Sequence, residues 1–247
     1  MADSNGIYLS VIIPAYNEEE RLPATLEKVE GYLSRQGYSY EIVVVSDGST
    51  DRTPDIVRER MEENKHLKLI EFKNRLGKGQ GVKKGMLSAR GNFRVFTDAD
   101  NSTPIHQVEK MWPWFKKGYD VVIGSRDVKG AVLDPPQPWI RKVFLGAGFK
   151  FYRKIVLGLW GLEDTQCGFK GFSRKSVEDV FPHLRIRGFA FDPEVLIIAR
   201  EKGYKIKEFP VYWKNDPDSK VKLKNMIKMA IDLLEIRWNL IVRKYAR

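Results

Sequence analysis

The chain has 247 residues and a net charge of +11 at pH 7, with 43% hydrophobic and 12% aromatic side chains. This composition excludes a disordered or collagen-like polymer, and the length is enough for one large domain with a core of its own. A single cysteine, Cys167, excludes an intrachain disulfide framework and a cysteine-based zinc cluster, and the three histidines fall in unrelated segments.

The start is polar. The short apolar run from Ile7 to Ala15 lacks a basic flank and a small-residue cleavage site, so it is not read as a signal peptide. β-branched runs then alternate with helical periodicity. Strands are predicted at Tyr8 to Ile13, Glu41 to Val45, Leu67 to Phe72, Phe93 to Thr97 and Asp120 to Ile123. Between them, helices are predicted at Glu18 to Gln36, Thr53 to Glu63, Lys78 to Arg90 and Ile105 to Lys117. Near-continuous apolar strands separated by helices predict an α/β fold: a mostly parallel, Rossmann-like sheet with helices on both faces. The rhythm breaks at Asp134-Pro135-Pro136-Gln137-Pro138, read as a loop or lid.

The positive charge is concentrated. Residues 139–161 carry five basic side chains and no acid, and residues 200–247 carry thirteen basic and six acidic ones, which leaves the rest of the chain near neutral. Both segments are also rich in large apolar residues. In the second, Leu223, Met226, Ile227, Ala230, Leu234, Trp238, Ile241 and Tyr245 recur at helical spacing, with Lys222, Lys224, Lys228, Asp232, Asn239 and Arg243 expected on the opposite face. Basic amphipathic helices of this kind suit an anionic membrane surface, and they also suit a core-packing helix with a solvated face. No stretch is long and apolar enough to span a bilayer. We therefore expect a soluble or peripheral protein, with the lone thiol suited to reducing cytosol.

Three strand ends carry polar clusters: Pro14-Ala15-Tyr16-Asn17-Glu18, Ser46-Asp47-Gly48-Ser49-Thr50-Asp51 and Asp98-Ala99-Asp100. In a parallel sheet, ligands bind beyond the carboxyl ends of the strands, so the three clusters are read as one site. Asp98 and Asp100, two apart in an extended segment, are expected to point the same way and present hard oxygen ligands to Mg²⁺ or Mn²⁺. A diphosphate leaving group is the natural further partner of such an ion.

Taken with Asn74-Arg75 and Gly77-Lys78-Gly79, Gly124-Ser125-Arg126, Asp164 to Lys170 and Phe189 to Asp192, these strings resemble family 2 glycosyltransferases of the GT-A fold. Within that family they are most similar to the polyprenyl-phosphate branch and its dolichyl-phosphate β-glucosyltransferases. The resemblance covers residues 7–240. It implies a single domain over residues 1–247, with a nucleotide-sugar half (7–126), an acceptor half (127–220, including interface helices at 139–161) and a C-terminal amphipathic helix (221–245).

The resemblance also implies roles. Pro14, Ala15, Tyr16 and Glu18 would line the nucleotide pocket, with Asp47 at the base or ribose. Asp98, Ala99 and Asp100 would hold nucleotide and metal, with Asp98 and Asp100 as the metal ligands. Lys78 is a further donor-side candidate. Ser46, where many relatives carry Asp, and the Cys167 string favour UDP-glucose over GDP-mannose. Asp164 and Gln166 fall in a loop near sugar and acceptor, and Lys220 near the phosphates. Arg126 and Arg141 are expected to grip the acceptor phosphate, because a guanidinium binds phosphate oxygens in a fixed bidentate geometry.

The expected activity is inverting, metal-dependent transfer of glucose from UDP-glucose to dolichyl or another polyprenyl phosphate. It would take place on the cytoplasmic face of a membrane, with no nucleic acid as partner. The alternatives are GDP-mannose as donor, a hydroxyl acceptor with Asp164 or Asp192 as base, and a non-catalytic protein that binds nucleotides or nucleic acid.

Overall fold

Strand β1 (Leu9–Ala15) is apolar on both faces, and both faces are covered. Ile12 enters one core with Val43, Val45, Val82 and Phe96, while Val11 and Ile13 enter the other with Val44, Leu26 and Val108. This alternation places β1 mid-sheet. The computed structural model describes residues 6–135, 148–214 and 223–245.

Beside β1 lie β2 (Tyr40–Asp47), β3 (Leu67–Phe72) and β4 (Phe93–Phe96), all parallel. Beyond β4 come β5 (Val121–Ser125), β7 (Lys170–Ser173) and β8 (Ile206–Pro210), and the seven-stranded order is β3-β2-β1-β4-β7-β5-β8. β7 runs antiparallel to both β4 and β5, whereas β5 and β8 pair in parallel. The carboxyl ends of β1, β2, β4 and β5 therefore share one edge, and the loop entering β7 arrives at that same edge. A separate pair, β6 (Val132–Asp134) with β9 (Tyr212–Lys214), flanks it.

On one face of the sheet lie α1 (Leu22–Leu33), α2 (Thr53–Glu63), a 3₁₀ turn at Ile105–Lys110 and the short α4 (Trp112–Lys116). The other face carries α3 (Lys78–Ser88), α6 (Arg174–Val180), α7 (Phe191–Glu201) and α8 (Leu223–Ile241), with α5 (Gly148–Leu157) against α8.

Several boundaries differ from the sequence reading by a few residues, and three of them have a clear local reason. α1 begins at Leu22 rather than Glu18, because the amides of Glu18 and Glu19 are bonded to Thr53 and Asp51 side chains and Pro23 favours the first helical turn. β2 runs on to Asp47, since Ser46 and Asp47 still pair with Ala15 and Phe72. The single helix predicted over 105–117 is a 3₁₀ turn followed by α4, because Pro113 cannot donate into a continuous α-helix.

α8 corrects the sequence reading more deeply. Its core-facing residues are Met229, Asp232, Leu233, Ile236 and Asn239, so two residues assigned to the solvated face are buried. Both are partnered: Lys228 Nζ donates to Asp232 Oδ1 at 3.3 Å, and Asn239 Nδ2 donates to the Tyr245 hydroxyl at 3.4 Å. Ile227, Ile231, Leu234, Trp238 and Ile241 lie outward, each more than half exposed. The helix carries two apolar stripes, and the predicted one is the outer except for Tyr245, which is buried in the core just beyond the helix. Neighbouring α5 likewise exposes Phe151 and Ile155 but buries Arg153, expected among the surface charges of 139–161. No helix among the described residues is long and apolar enough to cross a membrane.

Candidate active site

The loops after β1 and β2 are stitched together by side chains. Asn17 adopts a left-handed backbone, φ 53°; its amide donates to Ser49 Oγ, and its own Oδ1 accepts from the Thr50 amide at 2.8 Å. Ser46 is buried and donates to Ser49 Oγ at 3.0 Å. Pro14 and Ala15 close β1, and the Tyr16 ring beyond them lies 3.8 Å beneath the Arg75 guanidinium. Glu18 is chelated by Arg21 at 2.8 and 2.9 Å.

Asp47 has a different local task. Its two carboxylate oxygens accept the amides of Leu76 and Gly77 at 2.7 and 2.8 Å, which clamps the segment leading into α3. Gly77 sits at φ 99°, where a Cβ would strike the Arg187 carbonyl, so no other residue fits this turn without strain. The clamp sets where α3 starts and therefore where Lys78 stands.

Lys78 Nζ donates to Asp98 Oδ1 at 2.6 Å and lies over the Phe189 ring. Burial works against its charge, but Asp98, Asp192 and Asp100 together hold it well above the ordinary lysine range. Asp98 and Asp100 are not in extended backbone as expected: β4 ends at Phe96, and Ala99 and Asp100 form a turn. The Ala99 carbonyl accepts from Thr25 Oγ1 at 2.7 Å, and Asp100 Oδ1 accepts the Ser102 amide at 2.9 Å. Burial and then the Asp98 charge raise the Asp100 carboxyl above its usual value, so the two carboxylates sense each other.

The second wall comes from β5 and the loop before β7. Arg126, the residue after β5, donates its amide, Nε and Nη2 to Asp164 at 3.0, 2.7 and 3.0 Å. Asp164 also accepts the amides of Gln166 and Cys167. Although burial opposes its charge, Arg126 and these amides hold its carboxyl well below the usual carboxylate range. Gln166 reaches α8, with Nε2 3.9 Å from Met229 Sδ. Cys167 is buried, and burial pushes its thiol up to about 11.

Two residues given no role in the sequence reading join these walls. Gly168 lies directly on the Asp98 carboxylate, where any Cβ would overlap it. Arg153 donates to Thr165 Oγ1 at 2.8 Å and to the Leu162 carbonyl at 2.9 Å, bracing the loop that carries Asp164. The close glycine had a faint signal in the Asp164–Lys170 string; the arginine was hidden among basic neighbours. A further buried pair, Lys170 with Asp192, lies beneath, and burial is the main influence raising the Asp192 carboxyl. Arg141 and Lys220 lie outside the described residues. All other candidate residues stand around the one strand-end edge.

A family model described as glycosyl transferase family 2 matches residues 10–181. The chain belongs to the family 2 glycosyltransferases. Among similar proteins, the dolichyl-phosphate beta-glucosyltransferase ALG5D of Trichomonas vaginalis is 39% identical over 95% of this chain and 74% of its own length. The dolichyl-phosphate beta-glucosyltransferase of Saccharomyces cerevisiae is 35% identical over 95% of this chain and 75% of its own. Among solved structures, glucosyl-3-phosphoglycerate synthase from Mycobacterium tuberculosis in complex with UDP superposes with a TM-score of 0.68 at 17% identity, covering 98% of this chain and 81% of that one. That likeness bears on the fold: the glycosyltransferase has the mixed, mostly parallel sheet of the GT-A enzymes.

The donor set of this glycosyltransferase fits a hard divalent cation. Asp98 and Asp100 would offer two carboxylates separated by one residue, while no group of three or more metal-binding side chains occurs among the described residues. Two carboxylates leave positions for phosphate and water oxygens, as Mg²⁺ or Mn²⁺ sites commonly do.

Proposed function

We propose that this enzyme transfers glucose from UDP-glucose to dolichyl or another polyprenyl phosphate, with inversion at the anomeric carbon and with Mg²⁺ or Mn²⁺. The relatives named for dolichyl phosphate, aligned over nearly the whole chain, support the acceptor class. The observation that carries the reading is electrostatic. The two carboxylates put forward as examples of a base for a hydroxyl acceptor are already bound in ion pairs, Asp164 to Arg126 and Asp192 to Lys170. An acceptor that arrives as its own anion needs neither. A phosphate monoester has a second pKa of about 6 and is such a nucleophile at neutral pH.

In this reading, Pro14, Ala15, Tyr16 and Glu18 line the nucleotide, while Ser46 and Asp47 shape its pocket by ordering the loops around it. Asp98 and Asp100 would hold the metal, and such an ion would supply positive charge to a departing diphosphate. Lys78, already beside Asp98, would add a further positive charge toward that diphosphate. Arg126 keeps its Nη1 edge for acceptor oxygens while Asp164 fixes its plane, and Arg141 and Lys220 complete the phosphate grip. In-line attack by the acceptor phosphate then gives a β-linked product from an α-linked donor. The outer stripe of α8 with exposed Phe151 and Ile155 of α5 rests on the cytoplasmic membrane surface, where the lipid acceptor resides.

The deciding experiment is transfer of labelled sugar to a short-chain polyprenyl phosphate in detergent, with UDP-glucose or GDP-mannose and either metal. Transfer from UDP-glucose, lost in Asp100→Ala, is expected. Transfer from GDP-mannose alone would overturn the donor assignment, and nucleotide binding without transfer from either donor would overturn the acceptor.

A further inference from the structure

Where α8 ends, the chain closes one side of a groove of about 450 Å³. Five basic side chains from three parts of the fold line it: Lys83 of α3, His183 and Arg185 from the segment after α6, and Arg243 and Lys244 after α8. No acidic residue is among the lining residues described. Lys83 is anchored by its Nζ, which donates to the carbonyls of Pro182 and Leu184 at 2.8 and 3.0 Å. Glu194 lies buried nearby, but its carboxylate is spent on the amides of Arg185 and Ile186 and on the Tyr245 hydroxyl. Burial, then the charges of Lys202, Lys83 and Arg185, holds the His183 imidazole below its ordinary value, as expected in a cationic field.

Cations after a helix terminus commonly offset its dipole, and that would account for Arg243 and Lys244 alone. It does not account for Lys83, His183 and Arg185 meeting them from other elements. The turn that presents the last two is specific: Arg243 is left-handed at φ 53°, and the Lys244 amide returns to the Asn239 carbonyl. Val242, itself exposed, lines the groove, and the next residue back is Ile241, the last member of the outer apolar stripe. The groove thus opens where the apolar face ends.

We propose that this groove is a phosphate-binding site, separate from the sugar-transfer site, that takes the headgroup of an anionic lipid while α8 lies on the membrane. It rests on the membrane-surface reading above, which replacing Trp238 and Ile241 with Glu tests separately, since neither residue lines the groove.

Sedimentation of the full chain with phosphatidylcholine vesicles, with and without phosphatidylglycerol, is compared for wild type and for Arg185→Gln/Arg243→Gln/Lys244→Gln. A control, Lys116→Gln/Lys117→Gln/Lys207→Gln, removes the same charge elsewhere. Near-surface cations each contribute enough that the groove variant should lose affinity for anionic vesicles on the order of a hundredfold, and the control far less. Equal losses in the two variants would show a net-charge effect and overturn the site, as would unchanged binding in the groove variant. A parallel titration with inorganic phosphate, followed by amide NMR, separates the sources. Shifts at Arg185 and Lys244 without any preference for anionic vesicles would assign the groove to a free anion and overturn the lipid. Silence in both arms would overturn the site altogether.

Discussion

Asp98 meets the rest of the site at a position with no side chain. Gly168 has an ordinary backbone conformation and is required for space alone, because a methyl group there would push the Asp98 carboxylate off Lys78. Gly168→Ala should therefore fold normally and lose activity on the order of a hundredfold, the scale at which small displacements of a reacting constellation are felt. Steady-state transfer kinetics beside a thermal melt would check it, and a variant that melts early instead would point to a packing role. Glu194 offers a pH test of the same kind. Burial is the largest influence on its carboxyl, which is raised from 4.5 to about 7. Between those values the unfolded carboxyl ionises while the folded one keeps its proton, so stability falls as pH rises through this window and the loss is complete above it. Glu194→Gln removes that slope. Its Tm deficit relative to wild type should be larger at pH 5 than at pH 8, by a few degrees.

At the scale of elements, α8 does two jobs with two stripes. Met229, Leu233 and Ile236 seal the core, whereas Trp238 and Ile241 are 59% exposed and touch little of it. Replacing both with Glu should leave Tm within a few degrees and nucleotide binding intact, while abolishing sedimentation with vesicles; unchanged sedimentation would remove α8 from the membrane reading. The same helix shows where sequence reasoning stops. A 3.6-residue period identifies an apolar face but not what covers it, and here buried Asp232 and Asn239 disguised the core face as a polar one. The strands β1, β2 and β5 were legible because apolar runs buried on both sides leave little else to be, and the edge strand β3 and the short β4 were legible from their remaining large apolar residues. β7 and β9 were not: each is three or four residues long, and β7 opens with Lys170, a wholly buried charge that reads as surface until Asp192 is seen beside it. Of the site, the positions of Asp98, Asp100 and Arg126 at one edge followed from strand ends, whereas Lys78, at the start of α3, was reached only through the family resemblance. The tie between Arg126 and Asp164, 38 residues apart, is a tertiary fact.

For the molecule as a whole, the charge of +11 is presented in an organised way. Basic side chains gather at the end of α8, beside the outward apolar stripe, so the proposed contact with an anionic surface would have both a hydrophobic and a screened electrostatic part. Raising the salt from 0.05 to 0.5 M, values on the order used to vary the Debye length, should weaken binding to anionic vesicles severalfold without eliminating it. Complete loss would mean that the apolar stripe contributes nothing.

The antiparallel strand β7 has a consequence for synthesis. β5 joins the rest of the sheet only through β7 and pairs on its other side with the edge strand β8, and both of those follow it in the chain. On the ribosome, β1 to β4 can pair among themselves as they emerge, but β5 must wait some fifty residues for its first partner. The wall that carries Arg126 is therefore completed only after the segment bearing Asp164, Gly168 and Lys170 has been made. A nascent glycosyltransferase can hold β1 to β4 in register well before the β5–β7 wall exists.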